Sequence, residues 1–246
     1  MTALAEPATL LAVWERAAGA PAAARAAVLV HGAGLVGELD EALDLDLGRC
    51  AALASQAYRE EFGTSADAVT VCGECGELIE ATVPAGGVGP TGATGEANRP
   101  APTGPQVREL VVGDWVVRAA TTRDLLLAAG EPDAVAASLL SRCVRHRETG
   151  QPPGALPAQV LADLDEAAEE LAGAGSLVSV VTCPACSASV EVGLDAGALL
   201  WESVASAGIK LLTEVATLAA AFGWSEAEIL ALSPERRRAY LTFASP

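Results

Sequence analysis

Two C-x-x-C pairs that lie far apart in the chain constrain its fold more than any other feature. Cys72 and Cys75 stand in VTVCGECGELIEATV, and Cys183 and Cys186 stand in VTCPACSASVEVGL, with 107 residues between the pairs. A C-x-x-C turn points two sulfurs the same way, and four thiolates complete the ligand set of a tetrahedral structural metal site. The spacing therefore predicts that the tertiary fold, and not the local sequence, brings the two pairs together.

The two stretches agree beyond their cysteines and form an internal repeat. In each, an alternating apolar and polar run follows the C-x-x-C turn, which is typical of a half-buried strand. We therefore predict two units of strand, knuckle and strand. The matching positions are Ile79 and Val190, Glu80 and Glu191, Val83 and Leu194, and Ala85-Gly86 and Ala196-Gly197.

The four cysteines Cys72, Cys75, Cys183 and Cys186 are the candidate ligands of one structural Zn²⁺. Two small hairpins bury too little apolar surface to hold together unaided, so zinc–thiolate bonds would supply folding energy. A thiol oxidoreductase is an alternative, but its redox motif has a helix starting at the first cysteine, whereas strands flank both pairs here. Disulfides and unliganded thiols are the other interpretations that the sequence leaves open.

Composition limits the class of protein. The chain has 246 residues, 51% of them hydrophobic, which is enough for a globular core. It has no uninterrupted apolar run of about 18 residues and no signal-like N-terminus, so we expect a cytoplasmic protein that binds no membrane. A formal charge of −17 and a single lysine, Lys210, argue against nucleic-acid binding. A nucleic-acid-binding or regulatory zinc ribbon is kept as an alternative function.

No arrangement of catalytic residues stands out, so we predict a protein that is not an enzyme and has no small-molecule substrate. Residues 32–37 satisfy G-x-G-x-x-G after a strand-like AVLV run, but the second strand of a dinucleotide-binding unit does not follow. His31 and His146 are too isolated for a catalytic constellation. Cys50 and Cys143 have no partner at ligand spacing and are expected to be buried small apolar residues.

The predicted fold class is α+β, with a split, zinc-ribbon-like β core of four cysteines, a helical N-terminal part and a C-terminal segment of one long helix and two short ones. Helical spacing and capping signals predict helices at 8–19, 46–62, 133–147, 157–171 and 197–223, a short capped helix in TTRDLLLAAG, and two short helices starting after Ser225 and Ser233. The predicted segments are a helical lead-in at 1–63, the first knuckle at 64–83, a flexible Gly/Pro-rich loop at 84–106, a hairpin and helical insertion at 107–175, the second knuckle at 176–196 and C-terminal helices at 197–246.

A set of motifs spreads over most of the chain from about residue 45 onward: TTRDLL, LLSRCV, the C-P-x-C of the second knuckle, LLWESV, LLTEV and AFGWSEAEILALSPERRRAYL. Together they resemble the baseplate proteins of contractile phage tails and phage-derived contractile injection systems, related to the phage baseplate hub assembly chaperone. The resemblance implies a non-enzymatic role in building the baseplate, with other baseplate or tail-tube proteins as partners. The first knuckle, C-G-E-C, departs from the expected C-P-x-C, and Ala216 stands in place of a histidine.

The C-terminal segment is the predicted partner-binding surface, because aromatic and Arg residues dominate the energetics of protein interfaces. The alternative is that Trp224 and Tyr240 pack the tail back onto its own long helix. The predicted contact residues are Phe222, Trp224, Ile229, Leu230, Arg236, Arg237 and Tyr240.

Overall fold

The computed structural model describes residues 2–86, 108–131, 134–173 and 177–244, and these have the α+β fold that the sequence predicts. The helices are α1 (Pro7–Gly19), α2 (Arg25–Gly32), α3 (Leu39–Asp44), α4 (Leu47–Glu61), α5 (Thr122–Ala129), α6 (Val135–Cys143), α7 (Ala158–Gly173), α8 (Ala196–Phe222), α9 (Glu226–Leu230) and α10 (Pro234–Ala244). The strands are β1 (Ser65–Val71), β2 (Leu78–Pro84), β3 (Glu109–Val112), β4 (Trp115–Arg118), β5 (Val144–His146), β6 (Leu177–Thr182) and β7 (Ser189–Leu194). Within these residues the strands form antiparallel sheets of order β1-β2, β3-β4-β5 and β6-β7. The predicted loop at 84–106 lies, beyond Gly86, outside the described residues.

The main core forms where α1, α2 and α4 pack around the first half of α8. Leu200, Val204 and Leu211 recur at helical spacing and are buried in this core. One face of α8 therefore holds together the helical bundle of α1, α2, α4 and α8. Trp14 of α1 crosses α8 at Gly208, where an added Cβ would lie only 3.0 Å from the Trp14 Cγ atom. A residue without a side chain is what lets the two helices approach there.

The helix α8 is also, within the described ranges, the one helix long and apolar enough to cross a bilayer. The packing of α8 against α1, α2 and α4 buries one face of the helix, and 28% of its most apolar 18-residue stretch is buried inside the protein. Glu202, Lys210 and Glu214 interrupt its apolar sequence.

Two local predictions are wrong. The strand-like AVLV run lies in α2, where it is apolar throughout because α2 packs against α1, α4 and α8. The helix expected at 133–147 ends at Cys143, and Val144–His146 instead form β5, which pairs with β4. Short apolar runs of this kind fit either structure locally, and their neighbours in the fold decide between them.

The long helix α8 ends at the predicted glycine, and α9 and α10 begin at the predicted capping signals. Gly223 ends α8 with a left-handed φ of +70°, a conformation that glycine adopts easily. Ser225 and Glu228 form a capping box at the start of α9, in which the Ser225 N–H donates to the Glu228 carboxylate at 2.8 Å. The two short helices then pack against the second half of α8.

The insertion between the two knuckles is a small unit in which α7 covers the sheet of β3, β4 and β5. Leu164 of α7 packs against Val117 of β4 in a separate apolar core. Arg108 joins this unit to the helical bundle, because its Nη2 atom donates to Asp46 at 2.8 Å and to the Leu171 carbonyl at 2.7 Å. The insertion is therefore fixed to the start of α4.

An ion pair fixes the start of α5. Asp124 forms a capping box with Thr121, and its carboxylate accepts hydrogen bonds from Arg118 at 2.6 and 2.8 Å. Burial raises the pKa of Asp124, but the hydrogen bonds from Arg118 and Thr121 outweigh burial and lower the pKa to about 2. The fold therefore stabilises the charged carboxylate.

We predict that Asp124→Asn lowers the free energy of unfolding at pH 7 by about 1–2 kcal/mol, less than the full pKa shift would give because the pair is partly solvated. Folding lowers the pKa of Asp124, so its charge contributes fully to the free energy of unfolding above the unfolded pKa of about 3.9. This contribution is lost as the pH falls toward the folded pKa of about 2. Urea unfolding at a series of pH values should show the difference between wild type and variant shrinking below pH 4.

Glu109→Gln is the matched control for this prediction. Glu109 also accepts two hydrogen bonds from Arg145, but the two side chains are 40% and 45% exposed. Its loss should cost less than about 0.5 kcal/mol. An Asp124→Asn effect that stays constant between pH 7 and pH 3 would contradict the assignment of the effect to the charge.

Candidate metal centre

Each C-x-x-C turn is a hydrogen-bonded knuckle between the two strands of a hairpin. In the first knuckle, the Cys72 N–H donates to the Glu77 carbonyl at 2.9 Å and the Gly76 N–H donates to the Cys72 carbonyl at 2.9 Å. The second knuckle makes the same two bonds around Cys183, at 2.8 and 2.9 Å. The internal repeat seen in the sequence is therefore also a repeat of backbone hydrogen bonds.

The residue that follows the second cysteine of each knuckle has a left-handed backbone. Gly76 has a φ of +76°, and Ser187, the matching position of the repeat, has a φ of +63°. The same geometry at both positions indicates that the turn requires it. Glycine adopts it without steric conflict, whereas serine is strained by about 1 kcal/mol.

The first hairpin is fixed to the helical bundle at the end opposite its knuckle. The Ser55 hydroxyl of α4 donates to the Ala85 carbonyl at 2.7 Å, and the Tyr58 hydroxyl donates to the Ser65 carbonyl at 3.0 Å. The second hairpin leads directly into α8, which packs against α4. The bundle therefore holds the bases of both hairpins near each other.

The two hairpins face each other across a small apolar core. β1 contacts β7, and β2 contacts β6. Ile79 and Val190, which match in the repeat, pack in this core together with Cys72 and Cys183. So few apolar side chains give only a modest hydrophobic stabilisation.

The four predicted ligands converge on one point. The Sγ atoms of Cys72 and Cys186 are 3.6 Å apart, as are those of Cys75 and Cys183, and all four sulfurs lie within 4.8 Å of one another. Sulfurs around a tetrahedral ion with bonds of about 2.3 Å are about 3.8 Å apart, so the cluster could hold one metal ion. A disulfide needs about 2.05 Å between sulfurs, so the four cysteines are free thiols.

Hydrogen bonds shift the pKa values of two cysteines of the cluster in opposite directions. Backbone N–H groups of Cys186 and Ala185 lower the pKa of Cys183 to about 7. At Cys75 the N–H of Glu77 also lowers the pKa, but hydrogen bonds with the other cysteines outweigh it and raise the pKa to about 12. The knuckles therefore favour one thiolate, and four thiolates at this distance would repel one another without a positive charge between them.

The four cysteines differ in their access to solvent. Cys72 and Cys183, the first cysteine of each pair, are buried in the hairpin core, whereas Cys75 and Cys186 are exposed. A tetrahedral ion bound by four protein sulfurs has no position left for water or substrate, which is the arrangement of a structural site. In the described part of the chain no other group of His, Cys, Asp and Glu side chains could hold a metal ion.

The remaining cysteines and histidines do not join the cluster. Cys50 is buried, as expected, and burial raises its pKa to about 11. Cys143 is only half-buried and lies 4.0 Å from an Asp124 oxygen. The Nδ1 atom of His31 lies 3.2 Å from the Val36 carbonyl.

Two of the predicted partner-binding residues lie inside the protein. Ile229 is completely buried between α9 and α8. Arg237 is buried as well, and its Nε atom donates to Glu214 of α8 at 2.7 Å. Both side chains hold the C-terminal segment against α8, so a partner could reach them only if that segment opened.

The other predicted contact residues are at least partly accessible. The rings of Phe222 and Trp224 stack with centroids 4.8 Å apart, and Tyr240 meets Trp224 edge-on at 4.8 Å. The aromatics thus pack on one another at the end of α8. Phe222 remains 38% exposed, Leu230 is half-buried and Arg236 is exposed.

Comparison with known proteins gives no match: no family model, no curated protein and no solved structure matches the chain. The class of site is defined by its own geometry, as a four-cysteine centre between two repeated hairpins that could hold a metal ion.

We predict that Ser187→Gly raises the free energy of unfolding by about 0.5–1 kcal/mol, because it removes the left-handed strain at this turn. The gain is smaller than the strain because glycine is more flexible in the unfolded chain. The matched change Gly76→Ser introduces the strain into the other knuckle and should cost about 1 kcal/mol. Urea unfolding of both variants checks this, and changes of the same sign at the two positions would contradict it.

Proposed function

We propose that the protein is a zinc-stabilised, non-enzymatic structural or assembly factor for the baseplate of a contractile phage-tail-like injection system, assembled in the cytoplasm. The convergence of four sulfurs from two hairpins carries the structural part of the proposal. The motifs from TTRDLL to AFGWSEAEILALSPERRRAYL, which resemble baseplate proteins, support the biological part.

The geometry of the sulfurs supports Zn²⁺ as the metal. A tetrahedral set of four thiolates selects zinc or an iron–sulfur cluster. Two sulfur–sulfur distances between the hairpins are 3.6 Å, and no sulfur is more than 4.8 Å from another, so the space between them fits one atom and not a cluster of several. Zn²⁺ would be held by Cys72, Cys75, Cys183 and Cys186.

A structural role for the ion follows from the size of the hairpins. A two-stranded hairpin is marginally stable alone, and the core between these hairpins is small. Binding of Zn²⁺ by four thiolates contributes on the order of 10 kcal/mol to folding in small zinc domains. The ion would therefore supply most of the energy that holds the hairpins together.

Several observations support action through protein contacts. The four-sulfur centre offers no free coordination position to a substrate, and a formal charge of −17 opposes binding to nucleic acid. Phe222 and Arg236 present an aromatic and a cationic group at the surface of the C-terminal segment. Such groups are common anchors in protein interfaces.

A thiol oxidoreductase is the second candidate, favoured by the exposure of Cys75 and Cys186. A redox pair would contain one fast-reacting thiol, whereas a zinc centre shields its sulfurs until the ion is removed. Alkylation of the native protein with iodoacetamide, with and without a chelator, separates the two functions.

We predict that the purified protein contains one zinc per chain, measured by elemental analysis and native mass spectrometry. Cys183→Ser should leave less than about a tenth of that zinc and lower the free energy of unfolding by at least about 3 kcal/mol, because one ligand is lost from a site that contributes folding energy. Cys143→Ser is the control, since Cys143 lies outside the cluster and should leave zinc content unchanged. Wild-type protein purified without zinc, yet folded and stable to chelators, would overturn the structural role.

We predict that a host strain lacking this protein makes tail tubes and sheaths without complete baseplates, as seen by electron microscopy. Wild-type protein should restore assembly and Cys183→Ser should not. Arg236→Glu should retain the wild-type melting temperature but reduce the number of complete particles about tenfold, because it changes an exposed side chain only. Normal particles in the deletion strain would exclude the baseplate role while leaving the zinc assignment intact.

A further inference from the structure

The helices α6 and α7 enclose an apolar groove that the proposed function has not used. Its volume is about 300 Å³. Val117 and Val144 of the sheet form the floor, Leu140 of α6 lies on one side, and Ala168 and Leu171 of α7 lie on the other. This groove lies away from the cysteine centre and from the C-terminal segment.

The groove exists because the two helices pack on different elements. α7 packs against β3, β4 and α4, whereas α6 packs against α5 and β5. Leu139 and Leu140 of α6 consequently remain only half-buried. An apolar helix face is thus left without a complete partner.

Small side chains keep the groove open. Ala136 of α6, Ala168 and Ala172 of α7, and Gly48 of α4 all line it. Larger residues at these positions would let the walls meet. The groove therefore has room for one or two apolar side chains, the size of an anchor in a protein interface.

The interior of the groove offers no free charge. Arg118 lines it, but both terminal nitrogens of its guanidinium donate to Asp124 at 2.6 and 2.8 Å. Cys143, the other polar group on the inner wall, lies 4.0 Å from the same carboxylate. An occupant of the interior must therefore be apolar.

The rim of the groove is acidic. Asp165 is a lining residue with an exposed side chain, and Glu169, which does not line the groove itself, follows one turn later on the same face of α7. Both side chains are exposed, and neither forms an ion pair with a cation in the part of the chain that the structure describes. Together with the net charge of −17, this rim would attract a basic segment.

We propose that this groove binds a basic segment of a partner protein, which inserts one or two apolar side chains between α6 and α7 and places Lys or Arg residues against Asp165 and Glu169. The proposal rests on the proposed role in protein assembly and adds a second contact surface with a partner of stated chemistry. We expect the acidic rim to attract the basic segment first, because electrostatic attraction acts at longer range. The apolar side chains of the segment would then enter the neutral interior of the groove.

The test uses the full chain with two kinds of probe. N-phenyl-1-naphthylamine is a neutral dye whose fluorescence rises in apolar sites, and it reports access to the groove. Three helical peptides then compete with the dye: a lysine-rich peptide with two leucines four residues apart, the same peptide with alanines in place of the leucines, and a glutamate-rich peptide with the leucines. The first should displace the dye at a concentration about tenfold lower than the other two.

Matched variants assign the binding to the groove. Ala168→Leu fills the groove and should weaken dye and peptide binding about tenfold, whereas Ala162→Leu, an exposed alanine of α7 outside the groove lining, should not. Asp165→Lys with Glu169→Lys should keep dye binding and reverse the peptide preference. Glu166→Lys with Glu170→Lys changes the net charge equally at exposed positions on another face of α7 than the one shared by Asp165 and Glu169, and should leave the preference unchanged. Thermal melting checks that all variants are folded.

Each other outcome overturns the proposal. Dye binding that survives Ala168→Leu would place the dye elsewhere, and no dye binding would mean that the groove is closed. Dye binding that no peptide displaces would make the groove a site for small apolar molecules. Equal displacement of the dye by the lysine-rich and glutamate-rich peptides would show that the acidic rim does not contribute to recognition. None of these results would affect the zinc content or the particle assembly described above, so a failure here is distinct from a failure of the proposed function.

Discussion

The meeting of four sulfurs from opposite ends of a long insertion is the constraint on which the rest of the structure depends. Closing a loop of about 100 residues costs on the order of 4–5 kcal/mol in chain entropy. The small apolar core between the hairpins offsets little of this cost. The bundle supplies part of the remainder, because α4 leads into β1, β7 leads into α8, and α4 packs against α8. Packing in the bundle and convergence of the cysteines therefore support each other.

Much of this architecture could be predicted because its signals are local. The C-x-x-C turns, the alternating strands after them, the glycine at the end of α8 and the capping box at Ser225 each act through hydrogen bonds within a few residues. The sequence does not predict that the AVLV run is helical or that Val144–His146 form a strand. Contacts with distant elements decide the structure of both segments. The same holds for the α6–α7 groove, which no sequence motif marks.

Burial separates residues that look equivalent in sequence. Arg236 and Arg237 are neighbours, yet one is exposed and the other is buried against Glu214 of α8. The acidic partner lies 23 residues earlier in the chain, at a distance that no local pattern reveals. A binding surface inferred from composition alone therefore includes residues that pack inside the C-terminal segment as well as residues that are accessible to other proteins.

The repeat has a consequence for how this chain could have arisen. Two hairpins with the same turn geometry, each giving two cysteines to a shared cluster, have the arrangement of a two-fold symmetric pair joined into one polypeptide. The halves have diverged on their outward faces: the cross-strand pair Val71 and Leu78 is apolar, whereas its counterpart Thr182 and Ser189 is polar. Duplication, within one gene, of a hairpin that once paired with its own copy would give this arrangement, in which both halves keep two cysteines and differ at exposed positions.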